Sequence, residues 1–199
     1  MNKAIIIYDC WDKHWSADPD QDANCIKINT LIKHARAKGY TIIHHPSDCT
    51  KLYNNFLLHN VDIPLVEKGR HRDIKLPKTE YLNSITKHPE PGQKWLVWTK
   101  QNKHIDILKS DYITEDISEL VYILDKHNIK DIYYVGYHIN QCLLWTRPTS
   151  IGNLKQHMNI NTHIIKDLSK TILIDDSNLE TVYDICKEYH TTLINSKEI

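Results

Sequence analysis

The sequence predicts an α/β domain built on a mainly parallel sheet, and three observations predict it. Short apolar runs that read as buried strands alternate with longer runs whose apolar residues recur at helical spacing, the pattern of right-handed βαβ units. With 199 residues and 41% apolar content the chain can bury a substantial core, and the length suits one doubly wound sheet spanning residues 1–199. Three strong strand signals also run into residues that carry chemistry: Ala4 to Tyr8 ends at Asp9, Trp95 to Thr99 at Lys100, and Ile132 to Val135 at the turn before Cys142.

Each element follows from local pattern. The run from Ala4 to Tyr8 opens the chain as a buried strand. Asp22 to Lys38 reads as a helix, with Ile28, Leu31, Ile32 and Ala35 on one face and Gly39 as its C-terminal stop. Tyr40 to His44 is the second strand. Residues 46–93 carry prolines 64, 77, 89 and 91 and mixed charge, and read as a lid or substrate loop with a modest helix near Lys78 to Ile85. Trp95 to Thr99 reads as the next strand. Thr114 to His127 repeats helical spacing through Ile117, Leu120, Val121 and Leu124, with Thr114 as N-cap. After the strand Ile132 to Val135 a helical pattern follows, and Pro148 pushes the expected helix start toward Arg147. Strand Thr162 to Lys166, helix Asn178 to Tyr189 and strand Thr191 to Ile194 complete the chain, without internal repeats.

Composition narrows the function. Twenty-five basic and twenty-five acidic residues cancel, so the chain lacks the basic field that phosphate backbones require, and nucleic acid is not an expected partner. No apolar run reaches membrane-spanning length and the N-terminus enters a strand directly, so a soluble, cytoplasmic protein is expected. The five cysteines, at 10, 25, 49, 142 and 186, form no Cys-x-x-Cys pair, which argues for reduced thiols over a disulfide framework or structural zinc.

Position separates Cys142 from the other four. A strand-to-helix turn in an open α/β sheet lies at the ligand crevice, and a helix N-terminus there favours a thiolate. Asp9 ends another strand, and a buried carboxylate can take a thiol proton if a cation holds its charge. Lys100 is the candidate cation, with Lys103 and Lys109 as alternatives. Against these stand plainer readings: free cysteine is often an apolar filler, Asp9 can cap a turn, and lysines are mostly solvated.

An Asp, a Lys and a Cys ending three strands in that order resembles the isochorismatase-like cysteine hydrolases. Four blocks carry the resemblance: Asp9-Cys10-Trp11-Asp12-Lys13-His14-Trp15, His45-Pro46-Ser47-Asp48, Trp98-Thr99-Lys100-Gln101 and Gly136-Tyr137-His138-Ile139-Asn140-Gln141-Cys142. The resemblance implies a three-layer α/β/α fold with a six-stranded, mainly parallel sheet. It implies attack by the Cys142 thiolate on an amide or urea-like carbonyl, with Asp9 and Lys100 completing a triad and no cofactor. It nominates the N–H groups of His138 and Cys142 for the oxyanion, expects a cis peptide between Tyr137 and His138, and suggests a homodimer or homotetramer. Substrate contacts are expected from Trp11, Trp15, His45, Gln101 and Asn140.

The chain also departs from that pattern. Trp11 stands where many members carry Gln, the Lys-x-x-x-Ser-Ala-Phe run is missing after Lys100, and His44-His45-Pro46-Ser47-Asp48 replaces the Asp-x-His metal pair of nicotinamidases. His14, His44, His45, His71 and His138 show no metal-ligand spacing, so no metal is expected. Two other functions stay open at this point. One is a binding protein that sequesters a small metabolite or signalling nucleotide. The other is thiol redox chemistry, for which no resolving cysteine is evident.

Overall fold

A computed structural model describes residues 2–14, 18–56, 62–66, 97–172 and 179–199. Its centre is a six-stranded, entirely parallel sheet with strands in the order β3-β2-β1-β4-β5-β6. The strands are β1 (Asn2–Tyr8), β2 (Thr41–His45), β3 (Tyr112–Ile113), β4 (Ile129–Gly136), β5 (Asn161–Ile165) and β6 (Thr191–Ile194). The order reverses between β1 and β4, so the crevice at their carboxyl ends is the topological switch point where ligands bind in such sheets.

Alternation along the strands builds two cores. Ala4, Ile6 and Tyr8 face one side with Ile132 and Tyr134, covered by helix α2 (Ile117–Lys126), a π-helical segment (Ile139–Thr146), α3 (Ile151–Leu154) and α4 (Leu179–Glu188). Ile5 and Ile7 face the other side with Tyr133 and Val135, covered by α1 (Gln21–Ala37) through Cys25, Ile28, Leu31, Ile32 and Ala35. Gly39, at φ +79°, stops α1 as its sequence foretells: Gly39 N–H bonds the Arg36 carbonyl and Tyr40 N–H the Ala35 carbonyl.

Three sequence expectations are corrected. Val97 to Thr99 is not a strand; Trp98 stacks on Trp11 at 3.9 Å, and the Thr99 N–H and hydroxyl donate to the Asp12 carboxylate, which holds the segment as a loop. The sheet edge is instead the two-residue β3. Helix α2 begins at Ile117, because Asp116, not Thr114, caps it by accepting from Ser118 and Glu119 N–H. The helix after β4 starts at Ile139, not near Arg147, and breaks at Pro148. The expected helix at Lys78 to Ile85 and most of the proposed lid at 46–93 lie outside the described residues. Among the described residues no helix is long and apolar enough to cross a membrane.

Candidate active site

The crevice is shaped by the chain's sharp turns at the ends of β1 and β4. Tyr8 is in register with His45 of β2 and Gly136 of β4, and Asp9 N–H donates to the His45 carbonyl at 2.9 Å before the backbone turns at φ +48°. Gly136 adopts φ +123°, and a Cβ there would stand 2.1 Å from the Tyr8 carbonyl oxygen, so only glycine lets β4 end this close to β1. Tyr137 N–H then donates to the Tyr8 carbonyl, and the Tyr137–His138 peptide is cis, as the family resemblance leads one to expect.

Beyond His138 the chain winds as a π-helix, with Leu143 N–H reaching back to the His138 carbonyl. Such wide turns recur at functional sites. Cys142 lies within it, half-buried. The segment ends at Arg147, whose backbone is extended (φ −112°, ψ 152°) because the following proline disfavours a helical conformation for it. That turn brings the guanidinium back toward Asp9.

Asp9 is fully buried, and its two oxygens differ. Oδ1 accepts from Ser47 N–H at 2.9 Å and lies 3.8 Å from His45 Nδ1. Oδ2 has no hydrogen-bond partner among the described residues, and Arg147 Nε is 4.0 Å away. Burial works against the charged carboxylate, but His45, Arg147 and Ser47 outweigh it and hold Asp9 below the usual carboxylate range. Burial pushes the Cys142 thiol up to about 12, reinforced by the Asp9 charge and opposed by Arg147. At neutral pH the pair is therefore carboxylate and thiol. Arg147 also meets Asp48 at 3.1 Å, and the charges of Asp9, Cys142 and Asp48 raise its pKa despite burial.

An aromatic wall adjoins this corner. Trp11 stacks on Trp98, His14 lies parallel to both at 5.5 and 5.7 Å, and His14 meets His138 edge-on at 5.0 Å. Burial lowers His138 to about 3, helped by His14, and lowers His14 to about 4 against the pull of Asp9. Both rings are neutral at pH 7.

The structure brings Asp9, Cys142, His138 and His45 together, and it moves other predicted residues away. Lys100 is exposed, with its backbone N–H on Asp12, while Lys103 is exposed beside Asp22 and Lys109 is exposed. Among the described residues the lysine or arginine beside Asp9 is Arg147, signalled in the sequence only by the Arg-Pro step five residues after the cysteine. Of the expected substrate contacts, Asn140 is buried with its amide bonded to the Ile172 backbone in both directions. Gln101 is buried, its side-chain amide nitrogen donating to His44 Nδ1 at 3.0 Å. His45 is buried behind Asp9, and Trp11 is buried with its indole N–H on the Ser47 carbonyl. Tyr137 packs inside, where its hydroxyl accepts from Asn24. Trp15 lies outside the described residues.

His44 is taken up by Asp111 and Gln101, His45 by Thr149, and among the described residues no group of three or more His, Cys, Asp or Glu is placed to hold an ion.

No family profile and no curated protein sequence matches the chain. Solved structures do. The N-carbamoylsarcosine amidase of Thermoplasma acidophilum is 15% identical with a TM-score of 0.58, the match covering 100% of this chain and 99% of that one. The pyrazinamidase of Pyrococcus horikoshii, solved with zinc, is 16% identical with a TM-score of 0.53 over 98% and 99% of the two chains. An isochorismatase from Pseudomonas putida is 13% identical with a TM-score of 0.59 over 100% and 90%. Like those neighbours, this chain has the three-layer α/β/α fold of the isochorismatase-like hydrolases.

Proposed function

We propose that the protein is a cysteine hydrolase that cleaves a C–N bond in a small amide or urea-like molecule. The observation that carries this reading is the buried Asp9 carboxylate, whose Oδ2 has no hydrogen-bond donor among the described residues while Cys142 and Arg147 both feel its charge. A buried carboxylate oxygen left in that state is costly for stability and useful for proton transfer.

In this mechanism Asp9 Oδ2 takes the Cys142 proton as sulfur bonds the carbonyl carbon, and Arg147 offsets the charge of whichever partner is ionised. The N–H groups of His138 and Cys142 receive the oxyanion. Collapse breaks the C–N bond, Asp9 returns the proton to the leaving nitrogen, and a thioester remains. Water then gives a proton to Asp9 and attacks; the C–S bond breaks and the thiol is restored. Arg147 thus takes the role that sequence order assigned to Lys100. Two of the three similar structures are amidases by name, which supports the choice of bond.

A panel of small amides and ureas, with released ammonia or amine as readout, tests the proposal in the wild type and in Cys142→Ala. Turnover that survives the substitution would exclude it. The thiol pushed up to about 12 favours a second reading, capture without turnover. Calorimetric binding of a panel member with no product released, unchanged in Cys142→Ala, would support that reading instead.

A further inference from the structure

His45 stands behind Asp9 in a chain of buried polar groups that the mechanism above does not use. Its ring lies 4.0 Å from the Tyr8 ring, nearly parallel, and is 1% exposed. Nε2 pairs with Thr149 Oγ1, which in turn lies 2.7 Å from the Tyr8 hydroxyl. Nδ1 lies 3.2 Å from Ser47 Oγ and 3.8 Å from Asp9 Oδ1.

For a neutral His45 two head-to-tail relays of hydrogen bonds run through this chain, Thr149 accepting from one neighbour and donating to the other. In one, Tyr8 donates to Thr149, Thr149 donates to a bare Nε2, and the imidazole proton sits on Nδ1 facing Asp9 and Ser47. In the other, Nε2–H donates to Thr149 and Thr149 to Tyr8. The Tyr8 proton then loses Thr149, its hydrogen-bond partner among the described residues, and a bare Nδ1, with the Ser47 hydroxyl as its donor, faces a carboxylate. Lone pair against charge and an unused buried donor both disfavour the second arrangement.

We propose that His45 is a positioning residue: the chain from Tyr8 through Thr149 keeps its proton on Nδ1, where it engages the Oδ1 side of Asp9 and leaves Oδ2 to exchange the Cys142 proton. The proposal rests on the hydrolase reading for its purpose but not for its measurement. Which nitrogen carries the proton is set by the partner of the other nitrogen, a general rule for imidazole.

Nitrogen-15 NMR of histidine-labelled protein at neutral pH reads this directly, with the His45 signals assigned by their loss in His45→Gln. The expected result is a protonated Nδ1 and a bare Nε2 in the wild type, retained in Thr149→Ser. In Thr149→Val the proton is shared between both nitrogens, and Cys142 alkylation slows roughly tenfold, the effect of about one pKa unit at Asp9. If the valine variant fails to fold, Tyr8→Phe removes the first donor and has the same expected effect on the proton. A wild type with Nε2 protonated, with or without Nδ1, overturns the proposal, as does a folded Thr149→Val with an unchanged Nδ1 proton. Failure of the hydrolase reading looks different: Asp9→Asn would leave the alkylation rate of Cys142 unchanged while the wild-type His45 proton stayed on Nδ1.

Discussion

His44 and His45 are consecutive on β2, yet they serve two buried carboxylates in opposite ways. His44, on the α1 side of the sheet, meets Asp111 at 3.1 Å, and Asp111 also receives two bonds from the Arg36 guanidinium and one from Leu108 N–H. Every oxygen there is engaged. His45, on the other side, meets Asp9, one of whose oxygens has no hydrogen-bond partner among the described residues. Both carboxylates are held below their ordinary range: burial opposes the charge in each, and their partners outweigh it. The difference lies in completeness. A saturated carboxylate can only hold the fold together, whereas one with a bare oxygen can accept a proton.

The comparison breaks most sharply at Asp9. Asp9→Asn keeps the shape and removes the base, so we expect turnover to fall by roughly 10⁴-fold with a denaturant midpoint close to wild type. Cys142→Ala should match it. An Asp9→Asn protein that retains turnover would make Asp9 the structural carboxylate of the pair. At Asp111 the expected loss is reversed. Asp111→Ala leaves the partly buried Arg36 without its counter-charge and the buried His44 ring without its acceptor, a change that costs about 3–5 kcal/mol of stability. Urea unfolding measures it, and a loss below about 1 kcal/mol would show that the Asp111 cluster is not a brace.

Much of this was readable in the sequence, for physical reasons. Strands β1 and β4 are buried on both faces, so they appear as unbroken apolar runs, and a residue that ends such a run must lie at the sheet edge. That is how Asp9 and Cys142 were found. The cation was not, because ion pairing acts through space and sequence order gave Lys100 the stronger claim. Arg147 owes its place to Pro148, which ends the π-helical segment and sets the arginine in extended backbone. The third strand was missed because two residues carry no periodicity, while Trp98, read as part of a strand, serves a stack on Trp11. His45, Gln101 and Asn140 were read as substrate contacts because they lie within the blocks that carry the family resemblance. Only their partners show that they face inward.

Arg147 sharpens the comparison at the next scale. Asp111 shares its arginine in a bidentate pair, whereas Asp9 is 4.0 Å from Arg147 Nε, close enough to feel the charge and too far for a hydrogen bond. Removing one group that stabilises developing charge in a buried site costs about 10²–10³-fold in kcat. That is the expectation for Arg147→Ala, with Arg147→Lys partly active.

Acid then tests the neutral histidines around the site. His138, lowered to about 3, and His14, lowered to about 4, stay unprotonated in the folded state, while an unfolded chain protonates them near pH 6.5. Below that pH the unfolded state binds more protons, so stability is full above about 6.5 and falls as the pH drops toward 4. At pH 5 His138 alone should cost on the order of 2 kcal/mol, and His138→Gln should flatten the dependence of the urea midpoint between pH 7.5 and 5.

The smallest effect is expected at Lys100, and its smallness is informative. Lys100 is exposed, and its link to Asp12 runs through its backbone N–H, which any residue but proline supplies. Lys100→Ala should therefore change stability by no more than about 0.5 kcal/mol and leave the alkylation rate of Cys142 and any turnover at the wild-type level. A fall in turnover comparable to that of Arg147→Ala would return the triad to the order its sequence suggests and leave Arg147 as a partner of Asp48. An unchanged rate beside a crippled Arg147→Ala would mean that this chain supplies the cation from the strand-to-helix turn of its own nucleophile, so that one segment, Gly136 to Arg147, carries both the thiol and the charge that tunes it.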